Sequence, residues 1–194
     1  MEKPIEHYWN LRIDALKTTL EKNNFEVHLA PRPEDAVRIV TEDILPIVKP
    51  ASISWGGSRT FVECGLYKKL REMSGVNIID TYDTSLSDAD KMEQRRQALL
   101  VDLFFTSTNA ITESGHLVNL DMIGNRIAAL TFGPKQVLLF IGRNKIVTDR
   151  HAAVARIMEE SVDASLPARQ RCAGADGLDL PPVPGHPAHL GGHS

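Results

Sequence analysis

Four short apolar runs, ASISW at 51–55, VNIID at 76–80, VDLFFTS at 101–107 and QVLLFIG at 136–142, alternate with longer stretches whose apolar residues recur at helical spacing. Runs of this length bounded by turn residues read as strands buried on both faces, which is the habit of a parallel sheet. Parallel neighbours need a crossover between them, and the helical stretches between the first three of these runs supply one each. The alternation therefore predicts an α/β layered fold with a mostly parallel sheet. No internal repeat is visible.

The helical stretches carry their own boundaries. Trp9, Ile13, Leu16 and Leu20 step by 4, 3 and 4, one stripe of an N-terminal helix that Asn23 and Asn24 can end. FEVHLA then reads as a short strand. Pro33, Glu34 and Asp35 suit a first turn, with Val37, Ile39, Val40 and Ile44 following up to a stop at Pro46. Ser58 can cap a helix through Phe61, Val62, Leu66 and Leu70, and Ser87 with its acidic followers opens another that runs to Leu100. LVNLDMIGNRIAAL reads as a β-hairpin around Gly124-Asn125, and TDRHAAVARI starts a last helix.

The composition changes after Ile157. The first 157 residues hold 20 basic and 20 acidic side chains and all 11 aromatic residues, whereas the final 37 hold 2 basic and 5 acidic side chains and 10 Gly or Pro. We therefore expect an α/β domain at 1–157 and a tail at 158–194 that is extended or disordered, because it has little apolar surface to bury against its ordering entropy. The net charge of −3 lies entirely in that tail. A neutral domain without a basic stripe gives no reason to bind nucleic acid, and no apolar run could span a membrane. The charged N-terminus lacks the apolar core of a secretion signal, so the cytoplasm is the expected location. Two cysteines, Cys64 and Cys172, exclude a disulfide framework and a four-cysteine cluster built by this chain alone. No resident metal or cofactor is expected. His186, His189 and His193 of the tail could bind a metal only adventitiously.

Three polar segments stand where chemistry could sit. Gly56, Gly57 and Ser58 link a strand to a helix start, where backbone amides attract anions, although neither a P-loop nor a dinucleotide spacing is present. The run from Thr106 to His116 follows a strand end, the usual place for ligands in an open α/β sheet. It contains Asn109, Gly115 and one acid, Glu113, a candidate general base or nucleophile. His116 suits a structural role better than a catalytic one. Asn125-Arg126 and Asn144-Lys145 stand in turns that carry cations and could converge on an anionic substrate. Taken one at a time, ordinary turn chemistry accounts for each segment.

The 44-residue run TSTNAITESGHLVNLDMIGNRIAALTFGPKQVLLFIGRNKIVTD resembles the central signature of the LUD domain, a family of lactate-utilisation proteins, and SWGGS resembles its upstream glycine motif. The resemblance extends from about residue 5 to residue 157. It matches Gly56, Gly57 and Ser58 to the glycine motif, Asn109, Glu113 and Gly115 to NAIxExG, Gly124, Asn125 and Arg126 to GNR, and Asn144 with Lys145 to NK. It implies a three-layer α/β fold, similar to glucosamine-phosphate deaminase, ribose-phosphate isomerase and CoA transferases. His116 departs from the small hydroxyl residue common at its position. Many short members also continue with a TPCxxTGxCxxC segment, where this chain has only Cys172.

Members of the family are linked to oxidation of L-lactate to pyruvate, in company with iron–sulfur proteins. The resemblance thus implies a lactate-utilisation protein that binds a small anionic metabolite such as lactate, with iron–sulfur clusters on partner subunits. The amides at Gly56–Ser58 with Arg126 or Lys145 would hold the carboxylate, and Glu113 would accept the hydroxyl proton. Fold relatives imply as alternatives an isomerase, hydrolase or CoA transferase-like enzyme acting on a phosphorylated or CoA-linked metabolite. A noncatalytic assembly subunit, or a homo-oligomer joined through an apolar helix face, is the remaining reading.

Overall fold

The computed structural model describes residues 4–161. Helix α1 spans Pro4–Lys22 and buries Leu16 and Leu20, the stripe its spacing predicts. FEVHLA forms no strand: Val27 alone packs on the core, while Phe25 and Leu29 stay exposed. Alternation of apolar residues makes a strand only where a neighbouring strand takes up the backbone groups, and neither sheet includes this segment.

Helix α2 (Pro33–Arg38) runs through a π-type turn, Ile39–Ile44, into α3 (Leu45–Val48). Pro46 therefore does not end the helical stretch. The π-turn shifts the hydrogen-bond register, so the proline falls in the first turn of a new α-segment, where a missing N–H costs nothing. Strand β1 is Ser52–Trp55, followed by α4 (Arg59–Glu63) and α5 (Leu66–Arg71). The single helix expected from Ser58 to Leu70 is broken by Gly65 at φ 85. Ser58 does cap α4, its Oγ accepting the Phe61 N–H at 3.1 Å.

Strand β2 (Asn77–Ile79) leads to α6 (Asp88–Gln97), capped by Ser87 and prolonged by a 3-10 turn through Leu100. Then come β3 (Leu103–Thr106), β4 (Ala110–Thr112), β5 (Leu117–Val118) and α7 (Asn125–Thr131). The chain closes with β6 (Gln136–Leu139), β7 (Ile146–Val147) and α8 (Arg150–Arg156), which ends in a π-type turn to Ser161.

A β-hairpin is present, but not around Gly124-Asn125. Strands β4 and β5 pair antiparallel across Glu113–His116, with Gly115 at φ 83. Gly124 instead precedes α7, and the Asp121 carboxylate accepts the N–H groups of Arg126 at 2.8 Å and Ile127 at 3.3 Å. Partners for these first-turn donors favour a helix where alternation suggested a strand.

The first sheet has the order β2-β1-β3-β6 and is parallel throughout. Ile53, Trp55, Leu103 and Phe105 pack from it with Val40, Leu45, Phe61, Leu66 and Leu70, whereas Phe104 packs with Ala98, Val101 and Ala129. The period of two along β3 thus feeds two cores, and helices cover both faces, consistent with three layers. Each of the large side chains contributes about 1.5–3 kcal/mol by leaving water. The buried Trp55 keeps its indole N–H satisfied by donating to Asp80 Oδ1 at 3.0 Å.

A second sheet, β5-β4-β7, combines the antiparallel hairpin with a parallel β4–β7 pair. Leu16 and Leu20 of α1 pack on its Ile111, together with Leu117, Ile141 and Ile146. In the first sheet the chain leaves β1 for β2 across one face and returns to β3 across the other. That reversal places a crevice beyond the C-terminal ends of β1 and β3, where ligands of such sheets gather. Among the described residues no helix is long and apolar enough to cross a membrane. The 162–194 part of the expected tail, with Cys172 and its histidines, lies outside the described residues.

Candidate functional site at the seam of the two sheets

The chain crosses from the first sheet to the second twice, through Ser107–Asn109 after β3 and through residues 140–145 after β6. The two crossings lie side by side. The Phe140 N–H donates to the Thr106 carbonyl at 2.9 Å, and Ser107 Oγ donates to the Phe140 carbonyl at 2.5 Å. Lys145 ends a 3-10 turn, Arg143–Lys145, and its Nζ donates to Ser107 Oγ at 2.6 Å. Arg156 of α8 ties both crossings from behind, donating to the carbonyls of Asn109 at 2.6 Å and Asn144 at 2.9 Å.

Lys145 is the most perturbed cation of the seam. Burial pushes its ammonium down to about 8, and the positive charges of Arg156 and Arg126 act in the same direction against the pull of Glu63. Among the described residues it has no carboxylate within ion-pair distance, in contrast to Lys135, which meets Asp102 at 2.6 Å.

Gly56 and Gly57 lie at the crevice for a steric reason. Gly57 has φ 50, and a Cβ on it would stand 2.5 Å from Arg126 Cδ; one on Gly56 would stand 2.9 Å from the Phe104 ring. The two glycines let the Arg126 stem lie over the end of β1, with the Asn125 amide beside Gly56. Arg126 is itself held by Asp121 Oδ1 at 3.4 Å and by the Leu120 carbonyl at 2.9 Å. Burial resists the charge on Asp121, but Arg126 and the two α7 amides outweigh it and lower its acidity range.

Ser58 faces an open cleft of about 440 Å³ lined by Gly57, Ser58, Arg59, Val62, Glu63 and Tyr82. Its N–H is not presented to solvent, because it donates to the Tyr82 hydroxyl oxygen at 3.1 Å. Burial pushes the Tyr82 phenol up, so it stays neutral. Asp80 fixes this wall by accepting from Trp55, from the Tyr67 hydroxyl at 3.1 Å and from the Tyr82 N–H at 2.9 Å.

Glu113 and Gly115 stand apart from this group. They lie in the β4–β5 turn, where Glu113 Oε1 meets Arg12 Nε of α1 at 2.7 Å and Gly115 abuts Asn23 and Thr19. Since β4 and β7 run parallel with Ile111 opposite Ile146, Glu113 lies three residues along the strand from Lys145, about 10 Å at ~3.3 Å per residue. His116 also stays in the turn, its Nδ1 2.9 Å from Ser114 Oγ.

The predicted candidates thus fall into three groups. Gly56, Gly57, Ser58, Asn125 and Arg126 gather beyond the end of β1, and Asn109, Asn144 and Lys145 at the adjoining seam, whereas Glu113 and Gly115 form the hairpin tip. Sequence reasoning assigned no role to Ser107, Tyr82 or Arg156. Ser107 lay inside a singled-out run, yet hydroxyl residues in a polar run look alike until the partner strand is known. Arg156 is 47 residues from the carbonyl it binds at Asn109, and nothing local marks it.

Among the described residues no group of three or more His, Cys, Asp or Glu side chains is placed to hold a metal ion. Cys64 is a free thiol whose ionisation burial opposes.

Comparison with curated proteins and with solved structures finds no match. The family profile described as LUD domain matches residues 13–173, which takes in both sheets, the seam and the start of the tail. With most of its length matched, the chain belongs to the LUD domain family.

Proposed function

We propose that this chain works in lactate utilisation as the component that binds a small 2-hydroxy or 2-oxo acid, alongside iron–sulfur partner subunits. The observation that carries the reading is Lys145, a partly desolvated cation set against Ser107 at the C-terminal end of a parallel sheet and paired with no described carboxylate. A substrate carboxylate supplies the missing counter-charge, in surroundings where a charge-assisted hydrogen bond is stronger than in water. Ser107 and the Arg156 clamp keep the ammonium in place, and Arg126 adds positive potential from the neighbouring strand end.

Oxidation of lactate removes two electrons from C2 and needs a redox group, which we assign to the partner subunits. We place the chain in the cytoplasm, with a fold akin to glucosamine-phosphate deaminase, ribose-phosphate isomerase and CoA transferases. The parallel sheet with a crevice at its switch point supports that kinship.

Calorimetric titration with lactate, pyruvate, a sugar phosphate and CoA tests the reading, with binding expected for the first two. Binding of the sugar phosphate or CoA alone would favour isomerase, hydrolase or transferase chemistry, and stabilisation only by a partner protein would favour an assembly role. Glu113→Gln is the companion variant. Because the Glu113 carboxylate is taken up by Arg12 of α1 and makes no contact with Lys145, it should retain acid binding; loss of binding there would move the site to the hairpin.

A further inference from the structure

We propose that Lys145 is an amine nucleophile that condenses reversibly with the carbonyl carbon of a small 2-oxo acid, forming an imine in the seam between the two sheets. The inference rests on the reading that this crevice admits such acids, and adds a covalent activity to it.

The arrangement around the amine carries the argument. Ser107 Oγ commits its hydrogen to the Phe140 carbonyl at 2.5 Å, so toward Lys145 it serves as an acceptor. It takes one N–H from Nζ at 2.6 Å and leaves the lone pair of the neutral amine unengaged. The same bond denies Ser107 a nucleophilic role, since its side chain is buried and its proton already placed. Among the described lysines Lys17, Lys91 and Lys135 meet the carboxylates of Glu21, Asp88 and Asp102, and Lys22, Lys49, Lys68 and Lys69 are exposed to water, whereas Lys145 is half-buried without an ion pair. A carboxylate partner would hold Lys145 protonated; in its place partial burial and the charges of Arg156 and Arg126 outweigh the more distant pull of Glu63. These favour the neutral, nucleophilic amine, as the depressed titration to about 8 reflects. The backbone is equally fixed, with the Lys145 N–H on the Gly142 carbonyl at 2.9 Å and Arg156 on Asn144.

In the condensation the Nζ lone pair adds to C2, giving a carbinolamine. The former carbonyl oxygen takes up protons and departs as water, while nitrogen loses its second hydrogen and the C=N bond forms. No electrons are exchanged, and hydrolysis returns the 2-oxo acid and the amine.

Reductive trapping tests this on the full chain, with pyruvate as the probe and borohydride as the reductant, read by intact mass and peptide mapping. We expect one adduct, on Lys145, absent from Lys145→Arg, with a trapping rate at saturating pyruvate that increases as pH rises through about 8. Ser107→Ala should lower trapping about tenfold by releasing the amine from its orientation. Absence of an adduct from the folded chain, or labelling spread over Lys68 and Lys69 and unchanged in Lys145→Arg, would overturn the proposal. Titration with pyruvate in the absence of reductant separates the two failures. Binding without an adduct removes the imine and leaves the anion site, whereas neither binding nor adduct removes both. Mapping the unaltered chain identifies the labelled lysine even if a variant fails to fold.

Discussion

At the scale of single residues, the site depends on what each side chain is denied. Lys145 is denied part of its hydration and a carboxylate within ion-pair distance, so its proton is held less tightly than in an ordinary lysine. Anion affinity through it should therefore be strongest below pH 8 and fall as the ammonium deprotonates above, the opposite trend to amine nucleophilicity. Titrations of lactate from pH 6 to 9.5 check this sign. Lys145→Met should weaken binding at least tenfold, about 1.4 kcal/mol, and remove the pH dependence in the same titration. Gly57 is denied a side chain: with φ 50 and Arg126 Cδ 2.5 Å from a would-be Cβ, Gly57→Ala must both strain the backbone and displace the arginine. We expect a loss of about 1–3 kcal/mol in urea unfolding.

At the scale of elements, local signals worked where one residue supplies a local partner and failed where distant groups compete. The caps Ser58 and Ser87 lie three residues from the N–H groups they accept, and both were legible. Ser58→Ala should cost about 1 kcal/mol, measured by chemical denaturation, with faster hydrogen exchange at the Phe61 N–H that the hydroxyl caps. The misplaced hairpin shows the other case. LVNLDMIGNRIAAL alternates well enough for strands, yet Asp121 captures the first donors of α7, and Leu117–Val118 finds its partner upstream in Ala110–Thr112. FEVHLA likewise has strand composition, yet it pairs with no strand of either sheet.

At the scale of the whole molecule, two sheets are joined at a seam held by Ser107, Lys145 and Arg156, with Asp121 and Arg126 bracing the crevice next to it. Burial resists the charge on Asp121, but Arg126 and the α7 amides outweigh it, so the carboxyl ionises in the native state below its ordinary value. A carboxylate with a lowered native value contributes stability above its unfolded value and loses it as pH falls through the native one. Unfolding followed from pH 6 down to pH 2 should therefore show stability declining with acid, and Asp121→Asn should flatten part of that decline while lowering stability near neutrality.

The sequence by itself determined the α/β class, most strand positions, the helix caps and the family, because these rest on periodicity and on residues close together in the chain. Only the tertiary structure decided which candidates share a site. The pairing of β7 beside β4 brought the Lys145 ammonium onto Ser107, while Glu113 is taken up by Arg12 from the opposite end of the chain. Periodicity says which face a residue occupies. It does not say which strand lies alongside, and that pairing is what sets the distance between two chemical groups.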